Sequence, residues 1–322
     1  MSVPLHTSFS EVFMDSELRK KINEAIPGVI KNASAVAGAN KMVHVSGQRH
    51  KMALAGRTLD MVYYRAKTEN APLIVGYHGG GFIFGGCALD DEMWCAVIEA
   101  LDVNVASIGY RKSPEYKWET CLADAYDGAL YMKEHSADFG FDPESISVMG
   151  QSAGGNLAAA VALKAGQTGE ITFKNQILIY PFLDVYTEPG LKGEGSFSGL
   201  APYIMNELHC TAEDAKNPLC SPYYADDDML KNLPNTIVSV SEDDNLRPEG
   251  VFYSDRIAKA GIPMHRMLAK GMPHGYFENG FKAKFREGEL QFLGEHGKEI
   301  FEDGSLRRVS EETLEFIKTY MV

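Results

Sequence analysis

From residue 73 onward, short apolar runs (73–77, 103–108, 146–149, 177–180, 237–240 and 264–268) alternate with helix-length segments. Brief β-branched runs that do not alternate with polar residues are what strands buried on both faces need, and crossovers of helix length join such strands in parallel. The chain is therefore expected to form an α/β domain, a mostly parallel sheet flanked by helices. Helix candidates are 118–135, 153–164, 249–260 and 311–321, the last with Ser310 as its N-cap.

The N-terminal stretch 15–26 is helix-like and is expected to stop at Pro27-Gly28, and segments 42–45 and 59–64 suggest a hairpin. About 55 residues separate the runs at 177–180 and 237–240, too many for a simple crossover. This excursion holds a Gly/Ser-rich piece (190–199), an amphipathic piece (203–209) and Asp226-Asp227-Asp228, which reads as a solvated turn. With residues 1–40 it is expected to cap the strand ends. The division is then an N-terminal cap segment at 1–40, core at 41–185, a cap insertion at 186–230, and core again at 231–322.

With 322 residues, 45% of them hydrophobic, the chain can bury a sizeable core. A net charge of -13 argues against nucleic acid or an anionic membrane as partner, since both call for basic patches. Five cysteines without a Cys-x-x-Cys pair fit reduced thiols rather than a disulfide framework or a metal site. No apolar run is long enough for a membrane span and residues 1–10 lack a signal-peptide pattern, so a soluble cytoplasmic protein is expected.

Two motifs carry chemistry. In Gly150-Gln151-Ser152-Ala153-Gly154-Gly155-Asn156, an apolar run passes abruptly into a helical one with Ser152 at the corner. A serine there is lifted to the rim of the sheet, and glycines two residues before and after it avoid a collision. Ala153 opens the helix with an N–H free to bind an anion. The second motif, His78-Gly79-Gly80-Gly81-Phe82, follows the run at 73–77. Three glycines let successive N–H groups converge on one oxygen, and His78 is assigned to shaping that turn.

A serine nucleophile needs a base, and the base needs an acid to orient it. Among nine histidines, His274 is best placed, in a turn-rich loop after the run at 264–268. His265 falls within that run, where packing is expected, while His209 and His296 have surface-helix or loop surroundings. Glu242, Asp243 and Asp244 all follow the run at 237–240, and physical reasoning leaves the choice among them open.

These stretches, together with Tyr110-Arg111-Lys112-Ser113-Pro114-Glu115, Asp244-Asn245-Leu246-Arg247 and His274-Gly275-Tyr276, resemble the hormone-sensitive lipase family of α/β-hydrolase esterases. The resemblance spans roughly residues 73–276. It implies the α/β-hydrolase fold with a helical cap, and a carboxylesterase with Ser152 as nucleophile, His274 as base and Asp244 as acid. Gly80, Gly81 and Ala153 would form the oxyanion hole. The family's Asp-Xaa-Leu pattern is what selects Asp244. No metal or organic cofactor is implied; the partner would be a small-molecule ester. Dimerisation through the edge run 264–268 is suggested by the resemblance alone.

Three departures stand out. Gln151 occupies a slot where Asp is common in the family, Lys112-Ser113 replaces a more apolar pair, and the tail beyond Tyr276 is longer than the family usually needs, with a Gly- and Glu-rich segment at 285–304. Residues 110–115 read as structural, with Glu115 the one that could reach the active-site network. Phe9, Phe13, Phe197 and Tyr203 are expected to line an apolar pocket suited to a short acyl group. A hydrolase of amides or lactones is the nearest alternative. A non-catalytic binding protein on the same fold is another, although such receptors typically lose a triad residue.

Overall fold

The computed structural model describes residues 16–285 and 293–322; Phe9 and Phe13 lie outside them. In chain order the elements are α1 (Ser16–Met42), β1 (Gln48–Leu54), β2 (Arg57–Tyr64), β3 (Leu73–Tyr77), α2 (Asp91–Leu101), β4 (Asn104–Gly109), α3 (Trp118–Glu134), α4 (Ser136–Phe139) and β5 (Ile146–Gln151). They continue with α5 (Ala153–Thr168), β6 (Asn175–Ile179), α6 (Ala201–His209), α7 (Asp227–Leu230), β7 (Asn235–Asp243), α8 (Arg247–Lys259), β8 (Met264–Pro273), α9 (Tyr276–Gly280), α10 (Gly297–Glu302) and α11 (Ser305–Tyr320).

The strands form one sheet in the order β1-β2-β4-β3-β5-β6-β7-β8. β1, β2 and β4 pair antiparallel and the remaining pairs are parallel. Every residue of β3, β5 and β6 is buried, which explains the short apolar runs within them; the buried polar exceptions Asn175 and Gln176 hydrogen-bond to Ser147 and Thr236 on adjacent strands. Leu73, Val75 and Tyr77 pack on one face with Ala125 and Ala129 of α3, Ala158 of α5 and Tyr253 of α8. Ile74 points to the other face, with Trp94 and Val97 of α2 and Leu314 and Ile317 of α11. Among the described residues, no helix is long and apolar enough to cross a membrane.

Several local expectations are corrected. α1 runs through Pro27 to Met42, because Ile22 and Ile26, with Val29 and Ile30, pack on Ile204 and Leu208 of α6, while Pro27 itself faces solvent. That burial outweighs the backbone hydrogen bond a helical proline forfeits. The hairpin uses β1 rather than residues 42–45. As an edge strand with mostly uncovered faces, β1 carries a polar sequence without a clear apolar period. α2 had no expected counterpart. α11 begins at Ser305, and Ser310 lies inside it, where its hydroxyl donates to the carbonyls of Leu306 and Tyr276 at 2.9 and 3.2 Å.

The acidic triplet is a helix start. Asp226 accepts from the N–H of Met229 at 2.8 Å as the cap of α7, Asp227 pairs with Arg256, and Asp228 with Lys231. At the other end of the sheet, buried Asp124 accepts from both Arg111 and Arg57, which gives the residues around 110 their structural role. Glu115 is exposed.

Candidate active site

The parallel register brings the carboxyl ends of β3, β5, β7 and β8 to one rim of the sheet, and each delivers one part of the site. β5 ends at Gln151 and α5 starts at Ala153, so Ser152 alone makes the corner, at φ 54° and ψ -119°. A side chain is strained at such a positive φ, and the neighbourhood holds it there. The Ser152 N–H donates to the Ile179 carbonyl at 3.0 Å, and its own carbonyl accepts from Phe182 at 3.0 Å and Asn156 at 3.1 Å.

The glycines around it are a steric necessity. A Cβ on Gly150 would lie 2.1 Å from the Gly154 carbonyl oxygen, and one on Gly154 would lie 1.9 Å from that of Tyr77. Both obstacles are backbone, one in the first turn of α5 and the other at the end of β3, and have little room to retreat. Gly154→Ala is expected to destabilise the fold by about 3 kcal/mol, the upper range for overpacking. Urea unfolding checks this, and a midpoint equal to that of the wild type would contradict it.

His274 follows the last residue of β8, and Gly275, at φ 81°, turns the chain into α9. Its Nε2 lies 2.9 Å from Ser152 Oγ, and its Nδ1 lies 2.7 Å from Asp244 Oδ2. Asp244 is 2% exposed, and its other oxygen accepts the Leu246 N–H at 2.9 Å. Burial works against protonating the imidazole, but the Asp244 carboxylate more than offsets it, with Glu278 and Glu249 adding to the same effect. The His274 pKa is accordingly raised above 6.5. Of the other acid candidates, Asp243 and Glu242 are exposed, and Glu242 is spent on the Gly271 N–H at 2.7 Å.

The glycine run leaves β3 beside the serine corner, where a Cβ on Gly79 would come 3.6 Å from that of Ser152. Gly80 and Gly81 have φ of 113° and 59°. A Cβ on Gly80 would strike the Phe84 carbonyl, and one on Gly81 would overlap Met205 of α6. Among the described residues, no protein acceptor takes the backbone N–H of Gly80, Gly81 or Ala153. His78 is 1% exposed, stacks on Tyr110 at 4.2 Å and holds Nδ1 2.7 Å from the Gly79 carbonyl. Burial drops its pKa to about 3, so it is neutral and braces the turn.

Other residues depart from expectation or had none. His209 is buried rather than at the surface, stacked on Phe82 at 3.6 Å with Nδ1 3.2 Å from Ser113 Oγ, so it locks α6 onto the glycine turn. His265 stacks on Tyr320, and His296 is exposed beside Glu299. Gln151 donates to Asp90 Oδ2 at 2.8 Å. Burial, helped by Glu278, pushes the Asp90 carboxyl up to about 7, so an amide at this slot avoids placing another carboxylate in a site already hostile to charge. Tyr203 donates to Glu188 and accepts the Gly190 N–H, tying the insertion to itself. Ser196, Asp90, Tyr180 and Glu278 carried no sequence signal, since each acts through tertiary contacts that no local pattern encodes.

A sheet covered on both faces, with a serine on a strand-to-helix corner and a histidine–carboxylate pair on later strand ends, defines a protein of the α/β-hydrolase type. The family model described as "alpha/beta hydrolase fold" matches residues 74–278, and the chain belongs to that family, in its hormone-sensitive lipase group. It is 28% identical over 273 residues to an arylesterase of Saccharolobus solfataricus, covering 81% of this chain and 83% of that one. With the carboxylesterase NlhH of Mycobacterium tuberculosis, it shares 31% identity over 218 residues, 65% of this chain and 67% of the other. Among solved structures it is similar to an esterase of Pyrobaculum calidifontis, with a TM-score of 0.73 and 26% identity over 94% of each chain.

Proposed function

We propose that the protein is a carboxylesterase that hydrolyses small-molecule esters, short-chain ones in preference, through an acyl-enzyme on Ser152. The observation that carries this reading is the unbroken hydrogen-bonded line from Asp244 through His274 to Ser152 Oγ. Ser152 Oγ attacks the ester carbonyl as His274 Nε2 takes its proton, and Asp244 keeps the other imidazole proton on Nδ1 and steadies the cation that forms. The unsatisfied N–H groups of Gly80, Gly81 and Ala153 receive the developing oxyanion. His274 then returns the proton to the leaving alcohol, and the same steps with water as nucleophile release the acid.

The preference for short chains is supported by two apolar side chains set close to the reacting groups, Met205 against Gly81 and Phe197 beside the imidazole. With p-nitrophenyl esters from acetate to palmitate, kcat/KM is expected to peak among the short chains, and a maximum at the long end would overturn the preference. An arylamide of the best acyl group, run beside its ester, tests the choice of ester over amide. Hydrolysis of the amide at an equal rate would defeat it.

We assign α1 and the connection between β6 and β7 to the cap, because Ile22 and Ile26 share one apolar cluster with Ile204 and Leu208. Residence in the cytoplasm is supported by five unpaired cysteines, four of them buried, and cell fractionation tests it. Dimerisation through the edge strand β8 is supported by its exposed Leu268, and a one-subunit mass in light scattering would remove it.

A further inference from the structure

Ser196 and Phe197 belong to the connection between β6 and β7, yet they touch both loops that carry the acid and the base. The Ser196 hydroxyl donates to the Asp243 carbonyl at 2.5 Å and accepts the backbone N–H of His274 at 2.8 Å. The Ser196 N–H also reaches the Asp243 carbonyl, at 3.3 Å. Asp243 pairs with Pro273 just beyond the register shift between Ser241 and Asp243. One hydroxyl thus spans the ends of β7 and β8 where their own ladder is interrupted. Next to it, Gly195 approaches the chain so closely that a Cβ would lie 2.3 Å from the Asn245 nitrogen.

The neighbouring side chain acts on the imidazole itself. The Phe197 ring lies 4.4 Å from that of His274, and the Tyr180 ring lies 4.8 Å from it. Leu293 and Gly294 back this arrangement. A Cβ on Gly294 would come 3.4 Å from that of Ser196, and one on Gly275 would come 3.8 Å from Leu293. The unusual tail therefore meets both the insertion and the histidine turn.

We infer that Ser196 and Phe197 form a strap through which the cap insertion positions the acid–base pair, making Ser196 a positioning residue for the reaction proposed above. The inference rests on Ser152, His274 and Asp244 being the reacting set. Ser196 spends its hydroxyl on the backbone, so its work is to fix where His274 and Asp243 stand relative to each other. Without it, the His274 N–H and the Asp243 carbonyl lose their shared partner, and the imidazole is free to drift from Ser152 Oγ. A displacement of about 1 Å at reacting groups can cost on the order of 100-fold in rate. Seating of the cap and assembly of the acid–base pair are then one event.

The test compares wild type, Ser196→Ala, Ser196→Thr and Ser152→Ala on a short-chain p-nitrophenyl ester, with fluorophosphonate labelling rates alongside. Ser196→Ala is expected to lower kcat by roughly 10- to 100-fold with KM nearly unchanged, because an interaction specific to the chemical step has gone. Labelling should slow in step, and Ser196→Thr, which keeps the hydroxyl, should restore most of both. A second variant, Phe197→Leu, keeps bulk while removing the ring and should lower kcat. Wild-type kcat in Ser196→Ala, or a rise in KM alone, overturns the strap if Ser152→Ala is inert. Activity surviving in Ser152→Ala instead removes the reading on which the strap depends. Unfolding midpoints for all variants separate loss of positioning from loss of fold.

Discussion

Ser152→Ala is expected to lose about 10⁶ of turnover, the scale seen when the nucleophile of a serine triad is removed. The loss would come from chemistry alone. The contacts that hold residue 152 in its strained conformation are backbone bonds to Ile179, Phe182 and Asn156, and alanine retains all of them. Its Cβ occupies the space the serine Cβ occupies now. The unfolding midpoint should therefore stay within the small shift usual for a tolerated substitution, and the His274–Asp244 contact should persist. Hydrolysis of p-nitrophenyl acetate gives the turnover, and labelling by a fluorophosphonate should vanish with it. A variant that kept a hundredth of the wild-type rate would mean that another group attacks the ester.

Asp244→Asn is the next largest effect, about 10⁴ in turnover, because it leaves the geometry nearly intact and spoils the tautomer. An amide nitrogen facing Nδ1 forces the ring proton onto Nε2, which then points a donor at Ser152 Oγ and cannot accept its proton. The Leu246 N–H still finds an oxygen, so stability should change little. The pH profile adds a second sign. The carboxylate holds the His274 pKa above 6.5, so wild-type kcat/KM should fall on the acid side through a midpoint above that value. Removing the charge lowers the imidazole pKa, and the acid limb of whatever activity remains should move to lower pH. Asp243→Asn, which changes an exposed side chain whose backbone carbonyl holds Ser196, should stay within a few-fold of wild type. The reverse ranking would make Asp243 the acid.

Legibility along the chain followed the physics of each element. β3 and the apolar stretches of β5 and β6 were readable because burial on both faces favours apolar residues, whereas the buried polar Asn175 and Gln176 that open β6 find their partners, Ser147 and Thr236, only on neighbouring strands. β1 was not, because at the sheet edge nothing selects its side chains into a pattern. Pro27 looked like a helix stop and is not one, since helix α1 is decided by Ile22 and Ile26 meeting α6, a contact between segments nearly two hundred residues apart. His209 looked like a surface residue because its helix is short and amphipathic. Its ring was committed to Phe82 and Ser113 only by the way the insertion folds back over the glycine turn.

The amino-acid sequence by itself determined the α/β class and the serine corner, together with the glycine turn, because each rests on residues adjacent in the chain whose backbone conformations only certain side chains permit. Gly150 is demanded within the corner itself, where a Cβ would lie 2.1 Å from the Gly154 carbonyl oxygen, while Gly154 answers also to a neighbouring strand, where a Cβ would lie 1.9 Å from the Tyr77 carbonyl oxygen. Strand order was decided only in three dimensions, as were the embrace of Gln151 and Asp90 and the contact of Ser196 with the loops that follow β7 and β8. Those depend on which segments meet across the sheet. A hydrogen bond from residue 196 to residues 243 and 274 leaves no periodic trace, since one hydroxyl in a loop satisfies it and any loop can hold a serine.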